Sequence, residues 1–207
     1  MVRIKEDIAF SLSTLDCCLH AYVIMSNHLH LLITPKDKQQ LAKFMQSMTN
    51  RYDRYFNAKH QRSGTIWEGR FKSCLADSGD YTLYKYIEMN HVKANRVETP
   101  AGYEWSSYRH NALGKPDGLI IEHALYKDLG GTIEQRYNHY KALFDELNIT
   151  LRHAQITKAT LAGEVYGSEK FHTKISKLIS STTKLASHGG DIKHIEYKIK
   201  LADPLDL

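Results

Sequence analysis

Residues 20–35 decide the fold and read His20-Ala-Tyr-Val-Ile-Met-Ser-Asn-His-Leu-His-Leu-Leu-Ile-Thr-Pro35. Two apolar runs, 20–25 and 28–34, have the length and composition of β-strands. Ser26 and Asn27 lie between the runs, where a tight turn would join them, and Pro35 ends the second run. The stretch therefore predicts a short antiparallel hairpin.

Two histidines begin the second predicted strand. Side chains on a strand alternate between faces, so His28 and His30 project from one surface while the leucines and Ile33 pack behind them. Two converging imidazoles supply half of a divalent-metal site. Histidines that simply hydrogen-bond at the rim of a sheet would also fit this spacing, which leaves both interpretations open.

Length and composition narrow the class of protein. The chain has 207 residues with 42% hydrophobic content, which is enough for a buried core. It contains no apolar run long enough to cross a bilayer, and its first residues lack the apolar segment of a signal peptide. We expect a cytoplasmic protein without membrane contact. Cys17, Cys18 and Cys74 form no spaced pair and predict no disulfide framework.

Helical patterns surround the predicted hairpin. Apolar residues recur at helical spacing over 39–57, and residues 81–95 have helical composition after a turn at 77–80. A loop over 59–69 precedes a short predicted strand near 70–76. Further helices are predicted near 105–109 and over 132–147 and 171–180. Glycine and proline near residue 115 favour a boundary between a core, 1–115, and a helical extension, 116–207. We expect an α+β fold with an antiparallel sheet and helices on one side.

The helix over 81–95 offers two ways to complete a catalytic metal site. Residues four apart share a helical face, so Tyr86 pairs with Asn90 and Tyr84 pairs with Glu88. Each pair combines a phenol with an oxygen ligand. A phenol is a poor nucleophile until its proton is removed or its target is polarised, and a divalent ion can polarise a phosphate. Spacing does not choose between the pairs, and tyrosines at the rim of a core would also explain them.

Positive charge is concentrated between residues 36 and 72. This segment contains nine basic residues and only three acidic ones, with aromatic residues interspersed among them. Cations neutralise phosphates and rings stack on unpaired bases, so this pattern is typical of a nucleic-acid surface. A solvated basic face on a helix is the competing interpretation. We take Arg62, Arg70 and Lys72 as candidate phosphate contacts, while Trp67 would stack on a base or pack.

Four ordered motifs between residues 20 and 110 resemble one family. They are the hairpin sequence above, Gly64-Thr-Ile-Trp-Glu-Gly-Arg-Phe-Lys-Ser73, Tyr86-Ile-Glu-Met-Asn-His-Val-Lys-Ala94 and Tyr103-Glu-Trp-Ser-Ser-Tyr108. In this combination the His28-Leu-His30 segment resembles the HUH motif of single-tyrosine transposases, with the REP-associated tyrosine transposases as the most similar branch. The resemblance implies a ferredoxin-like nuclease core.

The resemblance also implies roles for individual residues. It selects Tyr86 as the nucleophile and His28, His30 and Asn90 as ligands of Mg²⁺ or Mn²⁺. The implied reaction is cleavage and rejoining of single-stranded DNA at palindromic hairpin repeats, through a covalent 5′-phosphotyrosine and a free 3′-hydroxyl. No nucleotide cofactor is implied. The alternative is a catalytically inactive protein, derived from such a transposase, that binds DNA hairpins.

The chain departs from this family pattern in three places. It has no counterpart to the additional strand that usually precedes the matched segment, which predicts an exposed sheet edge and puts catalysis in doubt. His91 stands where proline is typical, and Asn95 stands where glycine is common. A helix places His91 one residue round from Asn90, so it should face elsewhere. A weaker likeness at residues 166–171 would bring a C-terminal helix near a DNA hairpin stem.

Overall fold

A computed structural model describes residues 1–145 and 150–179. Nine α-helices, four strands and one short 3-10 helix lie within those ranges. In chain order they are α1 (Val2–Thr14), β1 (Cys17–Ile24), β2 (Leu29–Pro35), α2 (Lys38–His60), β3 (Leu75–Ala76), α3 (Thr82–Glu88), α4 (Asn90–Lys93), the 3-10 helix (Pro100–Gly102), α5 (Tyr108–Leu113), α6 (Ala124–Lys127), α7 (Ile133–Ala142), α8 (Thr150–Ala162), β4 (Val165–Tyr166) and α9 (Glu169–Ile179).

The predicted hairpin is confirmed as the centre of the molecule. Strands β1 and β2 pair antiparallel, with Ile24 opposite Leu29 at the turn and Cys17 opposite Pro35 at the far end. The first strand begins three residues earlier than predicted. The register shifts at His20, which lies between the paired residues Leu19 and Ala21 and has no partner on β2.

Both faces of the hairpin are apolar, and helices cover both. Leu19 and Ile24 pack with α1 and α2 in one buried cluster, whereas Ala21 and Val23 pack with α3, α5 and α7 in another. The α+β class with an antiparallel sheet is confirmed. The helices pack on both faces of the sheet, whereas the sequence predicted helices on one face only. Both faces are apolar, so both must be covered by other elements.

The edge of β1 that faces away from β2 is occupied. The Ile24 N–H donates to the Trp105 carbonyl at 2.9 Å, and the Ser107 N–H donates to the Tyr22 carbonyl at 3.0 Å. The Ile121 N–H donates to the Leu19 carbonyl at 2.8 Å. The expected exposed edge is therefore not found along β1, because segments from later in the chain satisfy its backbone groups.

The helices around the sheet confirm most of the predicted elements. Helix α2 begins after Asp37, whose carboxylate accepts from two backbone N–H groups, and extends three residues beyond the predicted end.

The helix predicted over 81–95 is divided at Met89 into α3 and α4. Asn95 then adopts a φ of 50°, a left-handed conformation that asparagine and glycine accept best. The strand predicted over 70–76 is reduced to β3, which pairs parallel with β4.

Segments after residue 115 share the buried clusters of the hairpin. Leu119 and Ile120 lie in the first cluster, and Tyr126 and Tyr140 lie in the second. Helix α7 confirms the core of the helix predicted over 132–147, of which residues 146 and 147 are outside the described part. Helix α9 matches the one predicted over 171–180, whose last residue is also outside it. The domain boundary near residue 115 stays a prediction.

A buried carboxylate ties α3 to its neighbours. Glu88 is fully buried and accepts hydrogen bonds from Ser107, from Asn111 Nδ2 at 2.9 Å and from the Tyr140 hydroxyl at 2.7 Å. Burial raises the pKa of Glu88 to about 7, although these three donors act to lower it. The same acid thus links α3 to α5, to α7 and to the segment that closes the edge of β1.

We predict that the stability contributed by Glu88 falls as the pH rises. The pKa of Glu88 is higher in the folded state, so ionisation between about pH 4.5 and about pH 7 opposes folding. The free energy of unfolding of the wild type, relative to Glu88→Gln, should decrease by roughly 1–3 kcal/mol between pH 5 and pH 8. Urea unfolding at both pH values measures this, with Glu104→Gln as an exposed control. Equal differences at the two pH values would contradict the prediction.

Candidate active site

His28 and His30 lie on the face of the hairpin that α3 covers. His28 immediately precedes β2 and His30 is its second residue, so both side chains point to the same side. Their ring centroids are 5.1 Å apart in an edge-to-face arrangement. Burial, together with the neighbouring His28 imidazole, lowers the pKa of His30 to about 4. His30 is therefore neutral at physiological pH and keeps a lone pair for a ligand.

Tyr86 and Asn90 meet the histidines from the opposite side. The ring of Tyr86 lies 5.2 Å from that of His30, centroid to centroid, and His28 Nε2 lies 3.1 Å from Asn90 Oδ1. Tyr86 is the fifth residue of α3, and Asn90, one helical turn later, is the first residue of α4. The structure thus brings together the four residues that the sequence predicted as nucleophile and metal ligands.

The alternative pair, Tyr84 and Glu88, faces away from the histidines. Tyr84 is 2% exposed and packs edge-to-face on Tyr140, with ring centroids 5.8 Å apart. Glu88 lies in the buried hydrogen-bond network described above, also with Tyr140. Only the pair Tyr86 and Asn90 shares the face of α3 and α4 that meets β2.

The polar groups around His28 fit a divalent cation. His28 Nδ1 lies 2.8 Å from Asn27 Oδ1, and Nε2 lies 3.1 Å from Asn90 Oδ1, so each ring nitrogen faces an amide oxygen. An imidazole nitrogen with a free lone pair and an amide oxygen are both metal-ligand atoms, so His28 Nε2 and Asn90 Oδ1 could hold a cation between them. Two imidazoles and an amide oxygen would accept Mg²⁺ or Mn²⁺ if further oxygen ligands complete the set, and would also accept Zn²⁺ or Ni²⁺.

A helix from the C-terminal half completes the surroundings of Tyr86. The Tyr86 hydroxyl is 3.2 Å from Thr157 Oγ1, and the Tyr86 ring meets the ring of His153 edge-on at 5.2 Å. Burial raises the pKa of Tyr86, while the Thr157 hydrogen bond acts in the opposite direction. Sequence reasoning missed α8 altogether. Its one usable signal was the four-residue spacing of His153 and Thr157, which places them on one helical face.

The predicted DNA-binding residues lie in the loop between α2 and β3. Arg62, Arg70 and Lys72 are exposed. Trp67 packs instead against Tyr52, with ring centroids 6.0 Å apart, and its Nε1 donates to the Thr49 carbonyl at 3.3 Å. The geometry thus gives Trp67 the packing role that the sequence left open, and base contacts by Trp67 stay a prediction.

Two side chains of α2 hold this loop in place. Asp53 accepts hydrogen bonds from the Thr65 hydroxyl at 3.1 Å and from the Ile66 N–H at 3.2 Å. Asn57 Nδ2 donates to the Gly64 carbonyl at 2.7 Å. The basic loop is therefore attached to the helix at its beginning.

His91 takes no part in the histidine cluster, as its position one residue beyond Asn90 predicted. It is completely buried and stacks on Tyr103, with ring centroids 4.5 Å apart and planes inclined by 15°. Burial lowers the pKa of His91 to about 4. Its neutral ring packs as an aromatic side chain in the core.

The fold and this site define a protein that presents a tyrosine beside two histidines and an asparagine on an α+β core. Residues 2–90 match the model of a family described as IS200-like transposases. The match includes His28, His30, Tyr86 and Asn90, whereas His153 and Thr157 lie outside it. No curated protein and no solved structure matches the chain. Within residues 1–145 and 150–179, no helix is both long and apolar enough to span a bilayer.

We predict that Thr157 controls the acidity of Tyr86. The Thr157 hydroxyl can donate to the phenolate and stabilise it, so Thr157→Val should raise the pKa of Tyr86 further above its usual value near 10. NMR titration of ¹³Cζ-labelled tyrosine measures this, with Tyr86→Phe to assign the signal. Thr160→Val on the same helix serves as the matched control. An unchanged or lower pKa of Tyr86 in Thr157→Val would refute the role of this hydrogen bond.

Proposed function

We propose that this protein is a metal-dependent, single-stranded DNA endonuclease and strand transferase of the transposase type. The proposal includes its placement among the HUH enzymes, in the REP-associated branch, and a hairpin-forming repeat as the DNA target. The observation that carries it is the meeting of Tyr86 and Asn90 with His28 and His30 across the interface of β2 with α3 and α4. The match of residues 2–90 to IS200-like transposases supports it.

His28, His30 and Asn90 are the residues that would hold Mg²⁺ or Mn²⁺. When bound, such an ion grips a phosphate oxygen and withdraws charge from phosphorus. His30 contributes a neutral imidazole because burial suppresses its protonation. Asn27 accepts at His28 Nδ1, which directs the lone pair of Nε2 towards Asn90 and orients the first ligand.

Tyr86 acts as the nucleophile in the proposed reaction. Its hydroxyl oxygen forms a bond to the phosphorus of a DNA phosphodiester while the bond from phosphorus to the 3′ oxygen breaks. The products are a 5′-phosphotyrosine and a free 3′-hydroxyl, and the phenolic proton leaves Tyr86. Attack by a DNA hydroxyl on the phosphotyrosine reverses these changes and reseals a strand. The raised pKa of Tyr86 means that its proton must depart as the bond forms.

Exposed cations of the loop between α2 and β3 would bind the DNA backbone. Arg62, Arg70 and Lys72 neutralise phosphates irrespective of base sequence. The attachment of this loop to α2 through Asp53 and Asn57 limits the entropy lost on binding.

We predict a covalent protein–DNA adduct that depends on Tyr86. The protein is incubated with an oligonucleotide that forms a hairpin with single-stranded flanks and with Mn²⁺, then separated by denaturing electrophoresis. A label at the 3′ end of the DNA should enter the adduct, whereas a 5′ label should not. Tyr86→Phe should lower adduct formation at least about 100-fold, because it removes the attacking oxygen. EDTA and His30→Ala should have the same effect.

Matched control variants distinguish a specific loss of adduct formation from a general loss of folding. Tyr84→Phe alters a core tyrosine on the same helix and should still form the adduct, as should His60→Ala, which removes an exposed imidazole. An adduct that persists in Tyr86→Phe would disprove the assignment of the nucleophile. Hairpin binding by the wild type without any adduct, insensitive to EDTA, would instead favour the catalytically inactive DNA-binding protein.

We also predict a specific salt dependence of DNA binding. Each phosphate contact to single-stranded DNA adds about 0.7 to the slope of log affinity against log salt. Replacing Arg62, Arg70 and Lys72 together by alanine should therefore weaken binding and reduce the magnitude of the slope by about 2. Fluorescence anisotropy with a labelled strand measures it. The control replaces Lys115, Lys127 and Lys141, which are equally exposed elsewhere; an identical loss there would argue against a binding role for the loop.

A further inference from the structure

Helix α8 is fixed against the helix that carries the proposed nucleophile. Ile156 and Ala159 on α8 are buried with Leu83 of α3 and with Tyr166 of β4. Tyr86 packs at the border of the same cluster. Residues 150–162 lie outside the part of the chain that matches IS200-like transposases, so the family match assigns them no role.

The hydroxyl end of Tyr86 faces one side of α8. Thr157 Oγ1 lies 3.2 Å from the Tyr86 hydroxyl, and His153, one turn earlier on the same face, meets the Tyr86 ring edge-on at 5.2 Å. The ring of Tyr86 is therefore flanked by His30 on the side of the sheet and by His153 on the side of α8.

His153 is a buried imidazole with unused hydrogen-bonding capacity. It is 2% exposed, and neither ring nitrogen has a hydrogen-bond partner among the described residues of the chain. Leaving a buried polar group unpaired destabilises the fold, so such a group calls for an explanation. Burial and the positive charges of Lys93 and Lys85 lower the pKa of His153 to about 3. His153 is thus neutral before DNA binds and has a lone pair to accept a proton.

We propose that His153 takes the phenolic proton of Tyr86 when Tyr86 attacks the DNA. This inference rests on the proposed function. In the DNA-free protein the Tyr86 hydroxyl bonds to Thr157, and neither nitrogen of His153 is within hydrogen-bond distance of it. The transfer therefore takes place after the two side chains draw together around the bound DNA. The proton then passes from the Tyr86 oxygen to a ring nitrogen of His153, the bond from this oxygen to phosphorus forms, and the bond from phosphorus to the 3′ oxygen breaks. The departing 3′ oxygen takes a proton from solvent. In the rejoining step the protonated His153 returns its proton to the oxygen of Tyr86.

The charges around His153 suit this transfer. Among the described residues, four titratable or polar groups lie at or near the imidazole of His153: Lys85, Lys93, Tyr86 and Thr157. A phosphodiester at Tyr86 brings a negative charge, which offsets the two lysines and favours the protonated imidazole. His153 therefore becomes a stronger base when the substrate is bound.

Chemical rescue tests the proposal in the full-length protein. His153→Ala should slow adduct formation on the hairpin oligonucleotide with Mn²⁺ about 100-fold, a common contribution of a general base. Added imidazole should restore at least a tenth of the lost rate by occupying the vacated space. Ile156→Ala, a packing variant of the same helix, is the control and should not respond to imidazole. The wild type at the same imidazole concentration controls for metal chelation.

A DNA-free measurement distinguishes catalysis from a structural role. Because His153 is buried and has no hydrogen-bond partner within residues 1–145 and 150–179, His153→Leu should raise the Tm by a few degrees while it slows adduct formation. A structural histidine would give a lower Tm instead. An adduct that forms at the wild-type rate in His153→Leu, or a lower Tm without imidazole rescue in His153→Ala, overturns the role of His153 alone. Failure of the wild type to form any adduct overturns the proposed function, and this inference with it.

Discussion

The contact between α3 and one face of the β-hairpin is the interaction on which the site depends. Ala21 and Val23 of β1 are buried against Tyr84 and Ile87 of α3, and this packing excludes water from both elements. The same face of the hairpin carries His30, so the packing that stabilises the fold also sets the separation of His30 and Tyr86. Any shift of α3 along the sheet would separate the two rings, because neither side chain can follow it by several ångströms.

Glu88 holds α3 from the side opposite the site. Its carboxylate accepts from Ser107 and Asn111, at the start and within α5, and from Tyr140 of α7. A buried acid with a pKa raised to about 7 weakens the fold when it ionises, yet it gives α3 one orientation that all three donors support. Two residues apart on one helix, Tyr86 and Glu88 therefore have different functions, one facing the histidines and the other fixing the helix.

The region after residue 115 contributes to the site as well as to the core. Leu119 and Ile120 complete the cluster between the hairpin and the first two helices, and α8 closes over Tyr86. His153 is buried, and neither of its ring nitrogens has a hydrogen-bond partner among the described residues. Departures of this kind from a fully satisfied core are expected at functional sites.

Sequence patterns predicted the hairpin with His28 and His30, the helix over 39–57 and two alternative pairs of candidate residues on the helix over 81–95. These features depend on local periodicity, which neighbouring residues determine. The resemblance to single-tyrosine transposases was what selected Tyr86 with Asn90. Periodicity could not choose between Tyr86 with Asn90 and Tyr84 with Glu88, because both pairs share a helical face and only the docking of α3 decides which face meets the sheet. Nor could it find His153 and Thr157, which are separated from Tyr86 by about 70 positions and reach it only through the packing of α8 on α3. The amino-acid sequence thus determined which side chains each helix and strand presents, and tertiary packing decided which of those side chains meet in the site.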